Sequence, residues 1–259
     1  MENGAALDRS RVTVLGLPLA MEIGSGDDLT GIIAAGVRES AQTLRDFDVL
    51  VVAQKVVSKA EGRRASLADF APSARALELA RVCGKDPRLV EAVLSESSDV
   101  LRIAPNVLIV RHRLGFVMAQ AGVDRSNVPG DDAILLLPLE PDGSAARLRA
   151  GLRAASGAAV GVVISDSFGR PWRLGTTNVA LGSAGLPALW DRRGEKDREG
   201  RTLEVTQVAY ADAIASAAGL VMGEGNESVP CALVRGLHWT ARERPASELL
   251  RPLHEDLFR

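Results

Sequence analysis

The sequence has only two cysteines, Cys83 and Cys231, and they lie far apart. Their spacing excludes a disulfide framework and any CxxC redox or zinc motif. Histidine is as scarce: His112, His238 and His254 are the whole complement, so no His/Cys set with zinc spacing exists. A bound metal would have to be held by oxygen, which points to Mg²⁺ or Mn²⁺. No apolar run approaches the roughly 20 residues of a membrane helix. The polar opening MENGAALDRSR lacks the apolar core of a secretory signal. A soluble, cytoplasmic protein with no membrane partner is expected. Charge of one sign is missing too: 31 Lys+Arg against 33 Asp+Glu leave a formal net charge of -2. That removes a broad electrostatic case for nucleic acid but leaves room for a local basic cluster on phosphate. Neither GxxxxGK(S/T) nor a GxGxxG after a strand occurs, so a nucleotide would be held without either loop.

What is present is core-forming sequence. The 259 residues are 46% hydrophobic and 25% charged, enough for one large domain or two closely joined ones. Apolar and helical segments alternate, which predicts an α/β or mixed α+β class. RVTVLGLPL reads as a strand broken at Gly16-Leu17-Pro18. GDDLTGIIAAGVRES reads as a helix capped by Asp27 or Asp28, with Leu29, Ile32, Ile33 and Val37 on one face. DVLVVAQKVVSKAEGR is expected to be a buried strand running into a lysine-rich loop. Two helices follow, the second from Asp86-Pro87, and 70–105 reads as a helical subdomain. A hairpin turns about Arg111–Leu114, with His112 exposed on it. DAILLLPLEP is a short strand, and DGSAARLRAGLRAASG a helix with Leu148 and Leu152 on one side. VGVVI, 160–164, is a strand expected to stop at Ser165. Residues 203–222 form a long alanine-rich helix, and 241–259 a tail or linker remnant that leaves the core. RRGEKDREGR is a solvated loop, and Trp172, Trp190 and Trp239 belong to core or interface.

Three predicted strand exits carry polar residues of a related kind. They are QKVVSKAEGR with Lys55, Ser58, Lys59 and Arg63; AGVDRSNVPG with Asp124, Ser126 and Asn127; and SDSFGRPWR with Asp166, Ser167, Arg170 and Arg173. Ligands of open α/β sheets collect beyond the carboxyl ends of strands, so the three exits can converge on one site. Aspartates and a hydroxyl are the hard oxygen donors that Mg²⁺ and Mn²⁺ accept, usually together with substrate phosphates. Lysine and arginine balance the remaining phosphate charge. Each group also has an ordinary reading. Asp124 and Asn127 are common turn formers, Asp166 and Ser167 can cap a helical turn, and Lys55 and Lys59 can be a solvated face.

The stretches GVDRSNV, SDSFGRPWRLGTTNVALGSAGLPAL, RRGEKDREG and KVVSKAEGR strongly resemble the coenzyme F-420:L-glutamate ligase family, the F-420-0:γ-glutamyl ligases; the resemblance runs from LGLPLA to ALVRG, with several motifs in family order. The resemblance implies a mixed α/β fold of mixed sheets flanked by helices, in an intertwined homodimer. It implies GTP-dependent addition of L-glutamate to the lactyl carboxylate of the deazaflavin precursor, with Mg²⁺ or Mn²⁺ (two ions) and K⁺. Residues 1–240 would form the ligase domain. By the same resemblance Leu17, Pro18, Lys59, Asn127 and the loop Met222, Gly223, Glu224 and Gly225 would contact the nucleotide. Asp124, Asp166 and Ser167 would hold metal, with Glu224 a weaker ligand of the second ion. Asp124, Asp166 and Lys59 would carry catalysis. Arg170 and Arg173 are read here as facing phosphate or the anionic coenzyme.

The chain also departs from the family. GTTN (Gly175–Asn178) stands where members commonly read GQTD, which makes Asn178 a substrate-side position. Gln54 replaces a frequent Ser or Thr, and GEGNESVP replaces a GKADGVP-like loop. These changes keep open a divergent paralogue acting on another acid or amine, or a non-catalytic GTP-binding module. Actinobacterial members often continue into a flavin-binding domain, and SELLRPLHEDLF resembles the junction leading to it.

Overall fold

The structure, a computed structural model, describes residues 11–19, 21–126 and 129–256. In chain order its elements are β1 (Thr13–Leu17), α1 (Leu29–Glu39), β2 (Val49–Ala53), α2 (Gln54–Ala60), β3 (Arg64–Ser66), α3 (Ala74–Cys83), α4 (Pro87–Ser95), β4 (Ser97–Ala104), β5 (Val107–His112) and β6 (Val117–Ala119). There follow β7 (Ala133–Leu135), α5 (Pro141–Ser156), β8 (Gly161–Arg170), β9 (Arg173–Ala184), β10 (Leu189–Asp191), β11 (Gln207–Ala209), α6 (Tyr210–Met222) and β12 (Cys231–Arg235). The class is mixed α/β.

A five-stranded sheet in the order β1-β12-β2-β8-β9 organises the larger part. Only β2 and β8 run parallel. Their paired sequences, VLVVA and GVVI, are apolar at every position because both faces are covered. Strand alternation sends Leu50, Val52, Val162 and Ile164 to a core shared with α1 and α5, and Val49, Val51 and Val163 to a core shared with α6. Asp28 caps α1 by accepting from the Gly31 amide at 3.1 Å. A second core joins α3 and α4 to β5 and β7 through Leu79, Val90, Val93, Leu108 and Ile134. The β4-β5-β6 sheet closes this lobe, so residues 97–104 of the expected helical region are strand.

β9 passes the start of α5 closely. A Cβ on Gly182 would lie 2.3 Å from both the carbonyl carbon and oxygen of Pro141. Gly182→Ala is therefore expected to cost about 1–3 kcal/mol of stability, read as a lower urea midpoint. An unchanged midpoint would mean that α5 yields freely at this contact.

Five local expectations are corrected. The lysine-rich stretch after β2 is helix α2, because Val56 and Val57 are buried beneath it and Ser58 Oγ donates to Gln54 Oε1 at 2.9 Å in the interior. The alanine-rich helix begins only at Tyr210, since Gln207–Ala209 pair with Leu189–Asp191. His112 is fully buried, its Nδ1 accepting from the Leu114 amide at 3.0 Å and its Nε2 facing Glu96 at 3.4 Å. The segment after 240 does not leave the core: Ala246 is fully buried, and Asp142 accepts from the amides of Ala246 at 2.8 Å and Ser247 at 3.2 Å. Trp172, expected in core or interface, is 82% exposed at the tip of the β8–β9 hairpin, beside Leu174 at 99%. Residues 192–201 form the exposed loop that their charge pattern predicts.

Candidate functional site

Because β2 and β8 are parallel, their carboxyl ends open on the same edge of the sheet, with Ala53 opposite Ser165 as the last pair. β2 hands over directly to α2, whose i, i+4 spacing puts Lys55 and Lys59 on one face. β8 does not stop at Ser165. A register shift between Ile164 and Ser165 carries it past the end of β2, and it continues with β9 alone to Arg170. Asp166 and Ser167 thus sit in the strand, just beyond its parallel neighbour, and neither caps a helix.

Asp124 arrives from the other lobe. Its amide and carbonyl pair with Leu135 of β7 at 3.0 and 2.8 Å. Its Oδ1 accepts from the Ser126 amide at 2.7 Å, the turn-forming bond that Asp favours. The other oxygen meets Lys55 Nζ at 2.7 Å, and that ammonium also donates to Ser126 Oγ at 2.6 Å. Asp124 therefore forms the turn and, through its other oxygen, an ion pair with Lys55. Burial pushes its carboxyl up, but Lys55 and the Ser126 hydrogen bonds outweigh it, so the net shift is down.

Asp166 goes the other way. Burial first, and then the negative charges of Asp124 and Glu224, push its carboxyl up to about 7 against the Ser167 amide and Lys55. The floor of the site thus carries more negative charge than Lys55 alone neutralises. Among the described residues no three His, Cys, Asp or Glu side chains gather as a ready cation cluster. Mg²⁺ and Mn²⁺ commonly take one or two carboxylates and complete their shell with water and substrate phosphate. Asp124 and Asp166, with the Ser167 hydroxyl beside them in the cleft, are oxygen donors of the number and kind that such an ion takes next to substrate phosphate.

The far wall is built by α6 and the loop after it. Asn178, opposite Ser167 across the β8–β9 pairing, donates from Nδ2 to Glu224 Oε1 at 2.7 Å. Glu227 folds back to accept from the Gly225 amide at 2.8 Å. Together these walls enclose an open cleft of about 880 Å³, the upper end of ordinary ligand-pocket sizes.

The cleft gathers Lys59, Asp124, Asp166, Ser167, Asn178 and the 222–225 loop from the expected set. It does not gather the rest. Leu17 is fully buried in the core beneath β1, and Pro18 is exposed; Leu19 and Met21–Ile23 line the cleft instead. Arg170 and Arg173 pair with each other at the hairpin tip, outside the cleft lining. Four residues of strand separate Asp166 from Arg170, about 13 Å. Asn127 lies outside the described residues. Lys55, expected as a phosphate-balancing cation or a solvated face, is the ion partner of Asp124. Ser165 was passed over altogether: it lines the cleft with its hydroxyl buried and without a hydrogen-bond partner among the described residues. Its only sequence signal is its place between a buried strand and a carboxylate.

A family model described as F420-0:Gamma-glutamyl ligase matches residues 19–236. The chain belongs to this ligase family. It is 46% identical over 253 residues to the coenzyme F420:L-glutamate ligase of Methanothermobacter thermautotrophicus, covering 96% of this chain and 98% of that one. It is 45% identical to the enzyme of the same name from Methanopyrus kandleri, covering 94% and 96%, and 46% identical to that of Archaeoglobus fulgidus, covering 95% and 94%. The ligase-family match includes both lobes and every cleft residue discussed above, and begins just after Leu17 and Pro18. Among the described residues no helix is long and apolar enough to cross a membrane.

Proposed function

We propose that this chain joins L-glutamate to the lactyl carboxylate of coenzyme F-420-0, with GTP as the phosphoryl donor and an acyl phosphate as the intermediate. The name of the relatives, coenzyme F420:L-glutamate ligase, supports the two substrates. The observation that carries the reading is the convergence of Lys55, Lys59, Asp124 and Asp166, from three separate segments, on one cleft in a chain of this family.

A carboxylate is a poor electrophile, so it must first be activated. One of its oxygens attacks the γ-phosphorus of GTP, the bond to the β-phosphate oxygen breaks, and GDP leaves. The glutamate amine then attacks the acyl carbon, inorganic phosphate departs with the bonding pair, and the amine loses its proton. Neither step needs a side-chain nucleophile, and the protein's task is to place the reactants and balance charge. Lys59 lies where it can pair with a phosphate; its present partner, Glu22, is 3.9 Å away and exposed. Lys55 holds Asp124 in place. Mg²⁺ or Mn²⁺ bound by Asp124, Asp166 and Ser167, with Glu224 facing a second ion, would neutralise triphosphate charge. The exposed Leu174 on the long β8–β9 arm supports a homodimer in which that arm is covered by the second copy.

Lys59→Ala is expected to weaken GTP binding by about 10–100-fold, the worth of a charge-assisted contact, with little loss of turnover at saturating GTP. Unaltered GTP affinity would return Lys59 to a solvated-face role. The activity itself is tested by measuring GDP release with Mn²⁺ or Mg²⁺ and K⁺, adding glutamate and the deazaflavin precursor separately and together, with mass spectrometry of the products. Release that needs both, with a product heavier by glutamyl units, is the expected result. GTP binding without that product would mean a different acid or amine, or no turnover at all.

A further inference from the structure

Asn178 has the most restricted seat in the cleft. Its main-chain carbonyl accepts from Ser216 Oγ of α6 at 2.8 Å, and Thr177 Oγ1 lies 3.0 Å from the same hydroxyl. Two positions along β9, the Ala180 amide donates to Asp212 Oδ1 of α6 at 2.8 Å. The helix therefore grips this strand on both sides of the Asn178 side chain. Beneath the amide, α6 carries Gly219: a Cβ there would lie 2.5 Å from Nδ2 and 2.9 Å from Cγ of Asn178. The absent side chain is what lets the amide lie flat against the helix. From that seat Nδ2 reaches Glu224 Oε1 at 2.7 Å.

A glutamate on a short loop has three rotatable bonds, and a single fixed donor selects among their settings. A carboxylate at position 178 would set two negative groups within hydrogen-bond distance, beside Asp166.

We propose that Asn178, seated by Gly219 and Ser216, is a positioning residue that aims Glu224 at the cation-binding floor of the cleft, so that the contact between β9 and α6 sets the affinity for the second divalent ion. The inference rests on the reading of the cleft as a divalent-metal and nucleotide site. Groups that orient metal ligands are commonly worth 10–100-fold in affinity.

The test is a Mn²⁺ titration of the full chain in the presence of GDP, followed by the electron paramagnetic resonance signal of the free ion. Wild type is compared with Gly219→Ala, Asn178→Asp and Asp166→Asn, and thermal unfolding is recorded for each. Gly219→Ala keeps every polar group and improves the intrinsic helix preference of α6, while its methyl meets the movable end of the Asn178 side chain; a purely structural seat predicts a lowered Tm with unchanged Mn²⁺ binding. The expected result is a Kd for the weaker Mn²⁺ class raised about tenfold or more in Gly219→Ala and Asn178→Asp, with Tm held. Wild-type or tighter binding in both variants, alongside weakened binding in Asp166→Asn, overturns the positioning role alone. Wild-type binding in Asp166→Asn as well overturns the metal reading of the cleft, and the positioning role falls with it.

Discussion

Asp166→Asn is expected to lower turnover by about 10²–10³-fold or more, the scale on which single preorganised charges act in transfer reactions, without unfolding the protein. The substitution is nearly isosteric and keeps the strand pairing of Asp166 with Val179. It removes a carboxyl whose charge is opposed first by burial and then by Asp124 and Glu224. In the metal-free protein Tm should therefore stay level or rise. That combination separates a functional carboxylate from a structural one, because a side chain kept for stability would lower Tm when removed. Steady-state GDP release and thermal unfolding of the same preparation measure both quantities. Wild-type turnover would sink the role given to Asp166, and a fall of Tm by many degrees would make its role structural.

Glu96→Gln is expected to lower stability by about 3–5 kcal/mol, the cost of removing one partner from a buried ion pair, or roughly 10 °C in Tm for a chain of this size. Glu96 ends α4 and is buried at the seam of the two lobes. Its Oε1 accepts from Arg63 at 2.8 Å and its Oε2 from Arg113 at 3.1 Å, with His112 Nε2 at 3.4 Å. Arg63 also donates to the Leu137 carbonyl at 2.8 Å, so the carboxylate ties the exit of α2 to both β7's continuation and the β5–β6 hairpin. Burial pushes the Glu96 carboxyl up, but His112, Arg63 and Arg113 outweigh it and hold it at about 2. A carboxyl held down in the folded state stabilises fully above its ordinary value of 4.5, and this contribution disappears as pH falls toward 2. The difference is worth about 3 kcal/mol. Urea unfolding from pH 6 to pH 2 should show this loss in wild type, and the Glu96→Gln variant should lack it. Parallel curves for the two proteins would remove Glu96 from the acid sensitivity.

Much of the local structure was legible. Asp28 before Leu29 and Asp86 before Pro87 are helix starts written in residue types, and both side chains cap as read. The misreadings share a cause. The stretch after β2 was read as a loop for its lysines, yet its two valines are what the core takes up. The sequence reading of His112 as exposed between arginines fails because one of them, Arg113, shares the buried carboxylate of Glu96 with it. The tail was read as leaving because it is charged, whereas Asp142, more than a hundred residues earlier, collects its amides. Charge in sequence marks the surface only when no buried partner of opposite sign waits elsewhere.

By itself the sequence determined the mixed α/β class, the oxygen-only character of any metal site, the absence of the common nucleotide loops and, through its motifs, the ligase family. Those properties depend on residue types and short spacings, which the chain carries without folding. Only the tertiary structure decided which polar residues meet. Parallel pairing of β2 and β8 brings Lys55 and Asp166 to one edge, the second lobe delivers Asp124 across it, and α6 presses Asn178 toward Glu224. The same folding leaves Arg170 and Arg173 on the arm, because β8 outruns its parallel neighbour and carries them away from the cleft. Contacts between segments far apart in sequence have no local pattern; they exist only where packing of the cores makes them the lowest free energy.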